Sequence, residues 1–566
     1  MHIHIVPNRN SSPTVLLRES YREGKVVKKR TLANLSDLPM TQIEQIRRVL
    51  RGENLAAPDS LFQIESSRHH GHVQAVAVAM QRLGMASVLG SRDSPEGQRV
   101  LAMIAARILS PESKLATTRW WQTTTLPELF DTADCDEQGL YAAMDWLLAR
   151  QDRIEKTLAH RHLKRGGLVL YDLSSSYFEG TTCPLAALGY NRDGKRGLLQ
   201  VNYGLLTNPS GIPVALSVFE GDTADANTLL PQVTKLREQF GIDQMVLVGD
   251  RGMISHKHIE VLQAQEGLAW ITALKSGALR SLVNAGVLQL GLFDDRNLFE
   301  FTSADYPGER LIACKNPQLA KLRTHKRQAL LEATAKQLAL IKERVAAGRL
   351  TGQDRIGVAV GKIINRYKVG KHFDLTIDED RFDYQINAAH VAAEAALDGL
   401  YVIRTGVQSL SGEEVVRSYK RLAAVEQAFR SLKTVDLEVR PIYHRLADRV
   451  RAHLFLCMLA YYVKWHMMEA WRPLLFADED QAAKAIRDPV APAKRSSKAL
   501  RKVAGKTLDD GTTAHSFRSL LHSLSTIVRS DCRRPDASDD EPTFTLDSMP
   551  DAKQRQAFDL LKSIAV

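Results

Sequence analysis

Two aspartates of the chain stand where a carboxylate could do chemistry. Asp172 lies inside the apolar, β-branched segment GLVLYDLSSSYFE, where a charged side chain is costly unless it is paired or bound to a metal ion. Asp250 ends the apolar run MVLVGD, which predicts a carboxylate at the carboxyl edge of a sheet, where α/β folds build their sites. Taken singly, each aspartate also fits an ordinary role, Asp172 as a hydrogen-bonded strand residue and Asp250 as a helix cap.

A third acidic residue, Glu426, lies in SGEEVVRSYKRLAAVEQAFRSLKTV, a segment with strong helical periodicity. Ser411 and Glu414 form a capping-box pattern at its start. At about 100° per residue, one face of this helix is apolar. Taken alone, this helix is more simply explained as an amphipathic helix whose charged residues are exposed to solvent. The polar residues that cluster beside the apolar stripe are Tyr419, Glu426, Arg430 and Lys433.

The combination of a strand aspartate, a strand-end aspartate and a helix glutamate points to a two-metal site. Two Mg²⁺ ions about 3.5–4 Å apart can activate a water or a 3′-hydroxyl and stabilise the leaving oxygen. Carboxylates suit Mg²⁺, a hard cation that takes oxygen ligands. We therefore predict that Asp172, Asp250 and Glu426 bind Mg²⁺, with Mn²⁺ expected to substitute for it.

The elements that must position these carboxylates follow a recognisable order. Three strand-like segments form a predicted meander, and a helix, a strand, a second helix and a further strand follow. This is the order of a ribonuclease-H-like mixed α/β sheet. We assign the catalytic domain to residues 161–275 and 396–470, with residues 276–395 as an insertion that contains a long basic helical run.

The two ends of the chain differ from the catalytic segments in their residue pattern. Residues 13–32 predict two strands around a turn at Glu23-Gly24, and the pattern from about 36 to 160 is helical. We expect residues 1–160, a mainly helical N-terminal region, to bind DNA, although a helical scaffold without DNA contact would have the same pattern. Residues 471–566 carry a strongly basic stretch and are expected to form a linker and tail, either solvated or bound to phosphates.

The length and composition are typical of a multidomain protein that binds polyanions. The chain has 566 residues and a net charge of +11, which attracts nucleic acid among other partners. Five scattered cysteines argue against a disulfide framework. No stretch reaches the roughly 18–20 apolar residues of a membrane span, and the N-terminus lacks a signal-peptide pattern. We expect a cytoplasmic protein that has no contact with membranes.

The catalytic segments resemble a known family, the Asp-Asp-Glu (DDE) transposases of bacterial insertion sequences. The matching stretches are LVLYDLSSSYFEG, GYNRDGKRGLLQVNYGLL, VLVGDRGMIS and YKRLAAVEQAFRSLKTVDLEVRPIYH, within residues 165–470. The closer resemblance is to the subgroup with a β-rich insertion between the second Asp and the Glu. Its signature is Tyr, two residues, Arg, three residues, Glu, six residues and Lys. Tyr419, Glu426 and Lys433 fit it, whereas Leu422 occupies the Arg position.

The resemblance implies a metal-dependent transposase. It would nick double-stranded DNA at the element ends and join the freed 3′-hydroxyl groups to target DNA, as a homodimer that holds two ends. Tyr419 and Lys433 would touch phosphates near the cleaved bond. Arg430 and Arg440 are added as DNA-binding residues on charge and position alone.

One polar loop resembles a phosphate loop without being one. Gly189–Lys195 has the spacing G-x-x-x-x-G-K, but Arg196 stands where Ser or Thr is needed, and a strand follows instead of a helix. We reject nucleotide hydrolysis on these grounds. The loop's cations, Arg192, Lys195 and Arg196, either approach DNA or line a solvated hairpin.

Two other functions remain open at this point. A nuclease of the same fold would cut DNA without joining it, and the same three carboxylates would serve it. A DNA-binding regulator derived from this fold would use the basic surfaces without catalysis. The intact acidic triad argues against the regulator, since a non-catalytic descendant would be free to lose Asp172, Asp250 or Glu426.

Overall fold

A computed structural model of the chain describes residues 1–9, 11–53, 61–90, 94–195, 197–289, 293, 297–482, 487–491, 494–535, 537–538 and 540–565. The chain divides into two compact units. One is made of residues 1–68 and 527–549, and the other of residues 69–526 and 550–566. The three predicted metal-binding carboxylates all lie in the second, larger unit.

The smaller unit begins with an antiparallel sheet. β1 (His2–Val6) pairs with β2 (Thr14–Glu23), and β2 pairs with β3 (Val26–Asn34). Gly24 turns the chain between β2 and β3 with a φ of 63°, a left-handed conformation that glycine adopts at little cost. The hairpin predicted around Glu23-Gly24 is therefore confirmed. The next elements are α1 (Met40–Leu50) and β4 (Gln63–His69).

The larger unit starts with a run of helices over residues 71–162, which confirms the mainly helical N-terminal region. Local capping sets where several of them begin. Ser94 Oγ accepts a hydrogen bond from the Gly97 N–H at 3.3 Å, and Asp136 Oδ1 accepts one from the Gly139 N–H at 2.8 Å. The helices are α2 (Gly71–Arg82), α3 (Met85–Leu89), α4 (Pro95–Leu109), α5 (Lys114–Trp120), α6 (Leu126–Leu129), α7 (Glu137–Leu148) and α8 (Gln151–His162).

The core of the larger unit is a mixed sheet that opens with the predicted meander. Its antiparallel strands are β5 (Leu168–Tyr177), β6 (Gln200–Thr207) and β7 (Pro213–Glu220). On the other side of β5, β8 (Met245–Gly249) and β9 (Leu268–Ala273) add as parallel strands. The spatial order β7-β6-β5-β8-β9 is that of the expected ribonuclease-H-like sheet.

Parallel strands need crossover connections, and helices supply them here. α9 (Leu229–Thr234) continues as a π-helical turn over Lys235–Gln239 and leads from β7 to β8. α10 (His256–Gln263) leads from β8 to β9 and begins at a capping box on Ser255. Both helices follow the expected order of elements.

The inserted segment differs from the β-rich insertion expected from the resemblance, because most of its regular structure is helical. Its longest helix has 30 residues and is rich in Ala, Leu, Lys, Gln and Glu, which have high helix propensity. Asn316 caps this helix by accepting a hydrogen bond from the Leu319 N–H at 2.9 Å. The elements are α11 (Ser276–Asn284), β10 (Leu298–Phe301), β11 (Arg310–Lys315), α12 (Pro317–Ala346), α13 (Gln353–Ile364), β12 (Phe373–Ile377), β13 (Phe382–Ile386) and α14 (Ala388–Ala395).

The two strand pairs of the insertion have different places. β12 and β13 pair with each other and share an apolar core with α12 and α13. β10 and β11 instead join the main sheet. The buried residues of the separate core include Leu331, Leu338, Ile341, Ile356, Val360, Phe373 and Phe382.

After the insertion the chain returns to the sheet. β14 (Leu400–Thr405) lies antiparallel between β9 and β11 and completes eight strands among the described residues. α15 (Gly412–Lys420) starts at the predicted capping box, where the Glu414 carboxylate accepts a hydrogen bond from the Ser411 N–H at 2.8 Å. The single helix expected here is interrupted at Arg421, and α16 (Leu422–Arg430) continues into a π-helical turn over Ser431–Val435.

The predicted helix over residues 446–470 is confirmed as α17 (Ala447–Ala470), most of which is buried. Apolar residues occupy all sides of this helix, so it can be buried within the larger unit. Within the described part of the chain, no helix is both long enough and apolar enough to cross a membrane.

The region expected to be a linker and tail contains regular structure. α18 (Ser497–Gly505) and α19 (Phe517–Ser525) bury apolar side chains, and α20 (Ala552–Lys562) buries Ala557 and Leu561. These helices form because apolar residues recur at helical spacing. The many basic residues of the region make this pattern hard to recognise in the sequence. β15 (Val528–Arg533) and β16 (Phe544–Asp547) form a sheet with β4. Residues 483–486 and 492–493 of the basic stretch lie outside the described residues.

Candidate active site

Neighbouring strands bring the two aspartates together. β5 and β8 run parallel, and Tyr171 is paired with Gly249. Asp172 and Asp250 are the next residues on their chains, so the two carboxylates lie side by side at the carboxyl end of β8. The expectation that Asp250 stands at the carboxyl edge of the sheet is therefore confirmed.

Glu426, on α16, is close enough for its charge to act on Asp172. Burial, together with smaller contributions from the charges of Asp250 and Glu426, raises the pKa of Asp172 to about 7. The Leu173 N–H, which donates a hydrogen bond to Asp172 Oδ1 at 2.8 Å, and the Arg192 guanidinium have the opposite effect on this pKa. The interaction shows that the three carboxylates share one electrostatic environment.

The donor set fits a hard divalent cation in chemical type. Asp172 is partly buried, whereas Asp250 and Glu426 are exposed and accessible. Among the described residues, no three Asp, Glu, His or Cys side chains are gathered closely enough to hold a metal ion as they stand. What favours a cation is the negative charge that accumulates on the carboxylates, which a divalent ion would offset.

Tyr419 lies beside the aspartates, in the last turn of α15. Its phenol Oη donates a hydrogen bond to Asp250 Oδ1 at 3.3 Å. Burial and the nearby Asp250 carboxylate raise the pKa of Tyr419 well above its usual value, so the phenol keeps its proton. The structure thus joins Tyr419 to the carboxylates, whereas the resemblance implied a contact with a DNA phosphate.

Lys433 and Arg440 meet at one carboxylate that the sequence reasoning did not single out. The Lys433 ammonium donates a hydrogen bond to Asp193 Oδ1 at 2.9 Å, and the Arg440 guanidinium forms an ion pair with the same oxygen. The Asp193 side chain is only 2% exposed. The sequence offered one signal for this role of Asp193, namely that it is an acidic residue between the basic residues Arg192 and Lys195.

A cavity of about 290 Å³ adjoins this cluster. Its wall contains the three cations Lys195, Lys433 and Arg440 and the two acidic residues Asp193 and Glu438. Burial lowers the pKa of Lys433, and the Asp193 carboxylate opposes that change. The lining residues are Tyr177, Asp193, Lys195, Lys433, Thr434, Glu438 and Arg440.

The remaining predicted DNA-binding residue and the departure from the signature lie on α16. Arg430 is exposed one helical turn after Glu426. Leu422, at the signature's Arg position, is buried with 9% of its surface exposed. It packs with the apolar side of the helix and offers no charge to the site.

A second ion pair near the carboxylates was also missed. Arg192 donates a hydrogen bond from Nη2 to Asp225 Oδ1 at 2.5 Å. Asp225 lies just before α9, in the connection that follows β7. Arg196, the third cation of this polar loop, lies outside the described residues.

Comparison with known protein families agrees with this geometry. Residues 3–60 match the model described as IS1634 family transposase, N-terminal domain. Residues 174–463 match the model described as Transposase DDE domain, and this match covers just over half of the chain. It includes Asp250 and Glu426 and begins two residues after Asp172.

No individual curated protein matches the chain significantly. The family matches nevertheless cover most of the N-terminal sheet and the segment that contains Asp250 and Glu426. The chain therefore belongs to the DDE transposases of insertion sequences, which are metal-dependent enzymes that bind and process the DNA ends of the element.

Proposed function

We propose that the chain nicks DNA at the ends of its insertion sequence and joins the 3′-hydroxyl ends to target DNA, with Asp172, Asp250 and Glu426 as the catalytic carboxylates. The observation that carries this proposal is the convergence of the three. Two lie next to each other on parallel strands, and the charge of Glu426 acts on Asp172 from α16. This arrangement concentrates oxygen donors at the end of a sheet.

The three carboxylates would hold two Mg²⁺ ions, with Mn²⁺ as a substitute. When bound, the ions would supply Lewis acidity toward the attacking and leaving oxygens of a phosphoryl transfer. Asp172, whose negative charge is the most disfavoured by burial, gains most from a nearby cation. Tyr419 orients the Asp250 carboxylate through its hydrogen bond.

The cations around the carboxylates would bind the DNA backbone. Lys433 and Arg440 are held next to each other by Asp193 and border the 290 Å³ cavity, where a phosphate would meet both. Arg430 is exposed on the same helix as Glu426. Since phosphate contacts position a protein on DNA without reading sequence, these residues would place the strand over the carboxylates.

We assign DNA-end recognition to residues 1–160, and we propose that two copies of the chain hold two ends during strand transfer. The net charge of +11 supports contact with a large polyanion. Residues 161–275 and 396–470 would form the catalytic domain, and residues 276–395 its insertion.

The test is cleavage and strand transfer on a DNA fragment that carries the element's own ends. Wild type is compared with Glu426→Gln, in Mg²⁺ and in EDTA, with Glu260→Gln on the exposed side of α10 as a matched control. We expect nicking and joining that need Mg²⁺ and fall roughly 10³-fold in Glu426→Gln alone, while DNA binding survives. Undiminished activity of Glu426→Gln would overturn the site.

The same assay decides between the three functions considered. Nicking without joined products would support a nuclease that cuts only. Binding of the ends without any cleavage by wild type would support a DNA-binding regulator.

A further inference from the structure

The signature shared with related transposases has an arginine that this chain lacks. Leu422 fills the position, and its burial within the core side of α16 excludes contact with DNA. Arg421 is exposed, but it is rotated by about 100° around the helix axis from position 422. Position 422 therefore supplies no cation to the site.

Arg192 reaches this centre from the loop between β5 and β6. Its backbone N–H donates a hydrogen bond to Ser175 Oγ at 3.3 Å. Ser175 lies three residues after Asp172 on β5, so this contact ties the loop to the strand that carries the first catalytic aspartate. The positive charge of the Arg192 side chain acts on Asp172 directly.

The partner of Arg192 lies beside the second catalytic aspartate. A Cβ atom at position 252 would be 3.9 Å from Asp225 Oδ2 and 3.9 Å from Asp250 Oδ2. The Asp225 and Asp250 carboxylates therefore each lie close to Gly252. Since Asp225 Oδ1 accepts the hydrogen bond from Arg192, the guanidinium lies against a carboxylate that is itself close to Gly252.

We propose that Arg192 binds a DNA phosphate adjacent to the scissile one and supplies a cation that this chain lacks at position 422. This rests on the proposed function of the triad. A guanidinium has five N–H donors in a planar fork that fits phosphate oxygens. The Arg192 side chain keeps 19% of its surface exposed, and its hydrogen bond to Asp225 engages Nη2.

The position explains why a cation is useful at this point. A phosphate that approaches three carboxylates meets repulsion wherever bound metal ions do not offset their charge. A guanidinium near Asp172 reduces this repulsion and holds the DNA strand in position through its phosphate. Asp225 acts through Arg192 as a positioning residue, because it orients the guanidinium before DNA arrives.

A double-mutant cycle between protein and DNA tests the contact. Wild type and Arg192→Ala are assayed in Mg²⁺ on end DNA in which one phosphate at a time, on either side of the cleavage position, is replaced by an uncharged methylphosphonate. Arg165→Ala is the matched control, because it breaks an Arg–Asp ion pair of 2.9 Å with Asp243 at the opposite end of β5. Arg192→Lys tests whether a point charge is sufficient.

We expect Arg192→Ala to lower the single-turnover cleavage rate about 100-fold, and Arg192→Lys to restore part of it. At one adjacent phosphate, methylphosphonate should slow wild type by a similar factor and Arg192→Ala by less than about threefold. Arg165→Ala should behave as wild type on every DNA. Independent, multiplicative effects at all phosphates would overturn the proposal, since they would mean that Arg192 only braces the loop.

The outcomes separate this inference from the proposed function. If wild type binds the ends without cutting them, the proposed function fails, and the same cycle read from dissociation constants still decides for or against the Arg192 contact. If Arg192→Ala does not fold, as judged by circular dichroism, the comparison of Arg192→Lys with Arg192→Gln on the same DNA set takes its place.

Discussion

Lys433 and Asp193 form a buried ion pair across 240 positions of the sequence, with 2.9 Å between Lys433 Nζ and Asp193 Oδ1. The loop after β5 and the π-helical turn after α16 meet through this pair. A helix that widens by one residue into a π turn changes where its side chains point, and such turns are frequent at functional sites. Here the turn directs Lys433 toward Asp193 instead of along the exposed side of α16.

Loss of the Asp193 charge should destabilise the catalytic domain. Asp193→Asn would leave the largely buried Lys433 and Arg440 without their shared anion, which costs about 3 kcal/mol in the free energy of unfolding. Urea denaturation would measure this, with the exposed Asp380→Asn as the control. End DNA should recover more stability in Asp193→Asn than in wild type, because a phosphate replaces the missing carboxylate. If Asp193→Asn were as stable as the control Asp380→Asn, the role given to Asp193 would be contradicted.

Lys433→Ala should weaken binding of end DNA and of unrelated DNA alike, because a phosphate contact carries no sequence information. The slope of log K against log salt should fall by about 1, as expected for the loss of a single phosphate contact. Titrations at several salt concentrations would show this. Lys562→Ala on the exposed side of α20 should leave the slope as it is. An unchanged slope in Lys433→Ala would remove this residue from the DNA interface.

Tyr419→Phe should slow cleavage about tenfold without changing DNA affinity, because it removes the hydrogen bond that orients the Asp250 carboxylate. Single-turnover cleavage at saturating protein separates this effect from binding. The control is Tyr443→Phe, because Tyr443 is 69% exposed. If Tyr419→Phe instead weakened DNA binding at full cleavage rate, the phosphate contact implied by the family signature would be the better explanation.

Stability should fall as the pH drops from about 6.5 to about 4 because of buried histidines. Burial lowers the pKa of both His162 and His466 to about 4, and their rings lie 5.8 Å apart. In the unfolded chain each imidazole takes up its proton near pH 6.5. The stabilising contribution of the neutral rings is therefore complete above pH 6.5 and is lost progressively between pH 6.5 and 4, by up to about 3 kcal/mol per histidine.

His466→Phe should make this acid destabilisation shallower, since a phenyl ring fills the same space and cannot be protonated. Urea denaturation followed by tryptophan fluorescence at pH 7, 6 and 5 would measure the change. Trp465, whose ring lies 4.9 Å from that of His466, is a local probe. His325→Gln, at an exposed position of α12, is the control and should keep the wild-type pH dependence. A slope that His466→Phe leaves intact would contradict the burial argument.

Local patterns were sufficient for the elements that carry the triad. Apolar runs predicted the strands of Asp172 and Asp250, and a capping box predicted the helix that begins after Ser411. These signals depend on neighbours a few positions away in the chain, so they survive without knowledge of the fold. The order of the strands then indicated the sheet, because consecutive elements of such folds pack in few ways.

Other expectations were wrong, because local patterns do not contain tertiary packing and because the insertion departs from the family resemblance. The expected β-rich insertion is mainly helical, and two of its strands extend the main sheet beyond β14. The helix after Ser411 is interrupted at Arg421, although its periodicity runs on without a break. The basic C-terminal region contains buried helices, because a few apolar residues at helical spacing outweigh many exposed charges.

The sequence by itself determined the chemistry of this transposase: which residues are acidic, which strands and helix carry them, and which signature position lacks its arginine. Only the tertiary structure decided which charges meet. Asp193 pairs with Lys433 and Arg440, and Arg192 pairs with Asp225 beside the triad. The physical reason is that an ion pair depends on distances of a few ångströms between segments far apart in the chain, and no local periodicity encodes those distances.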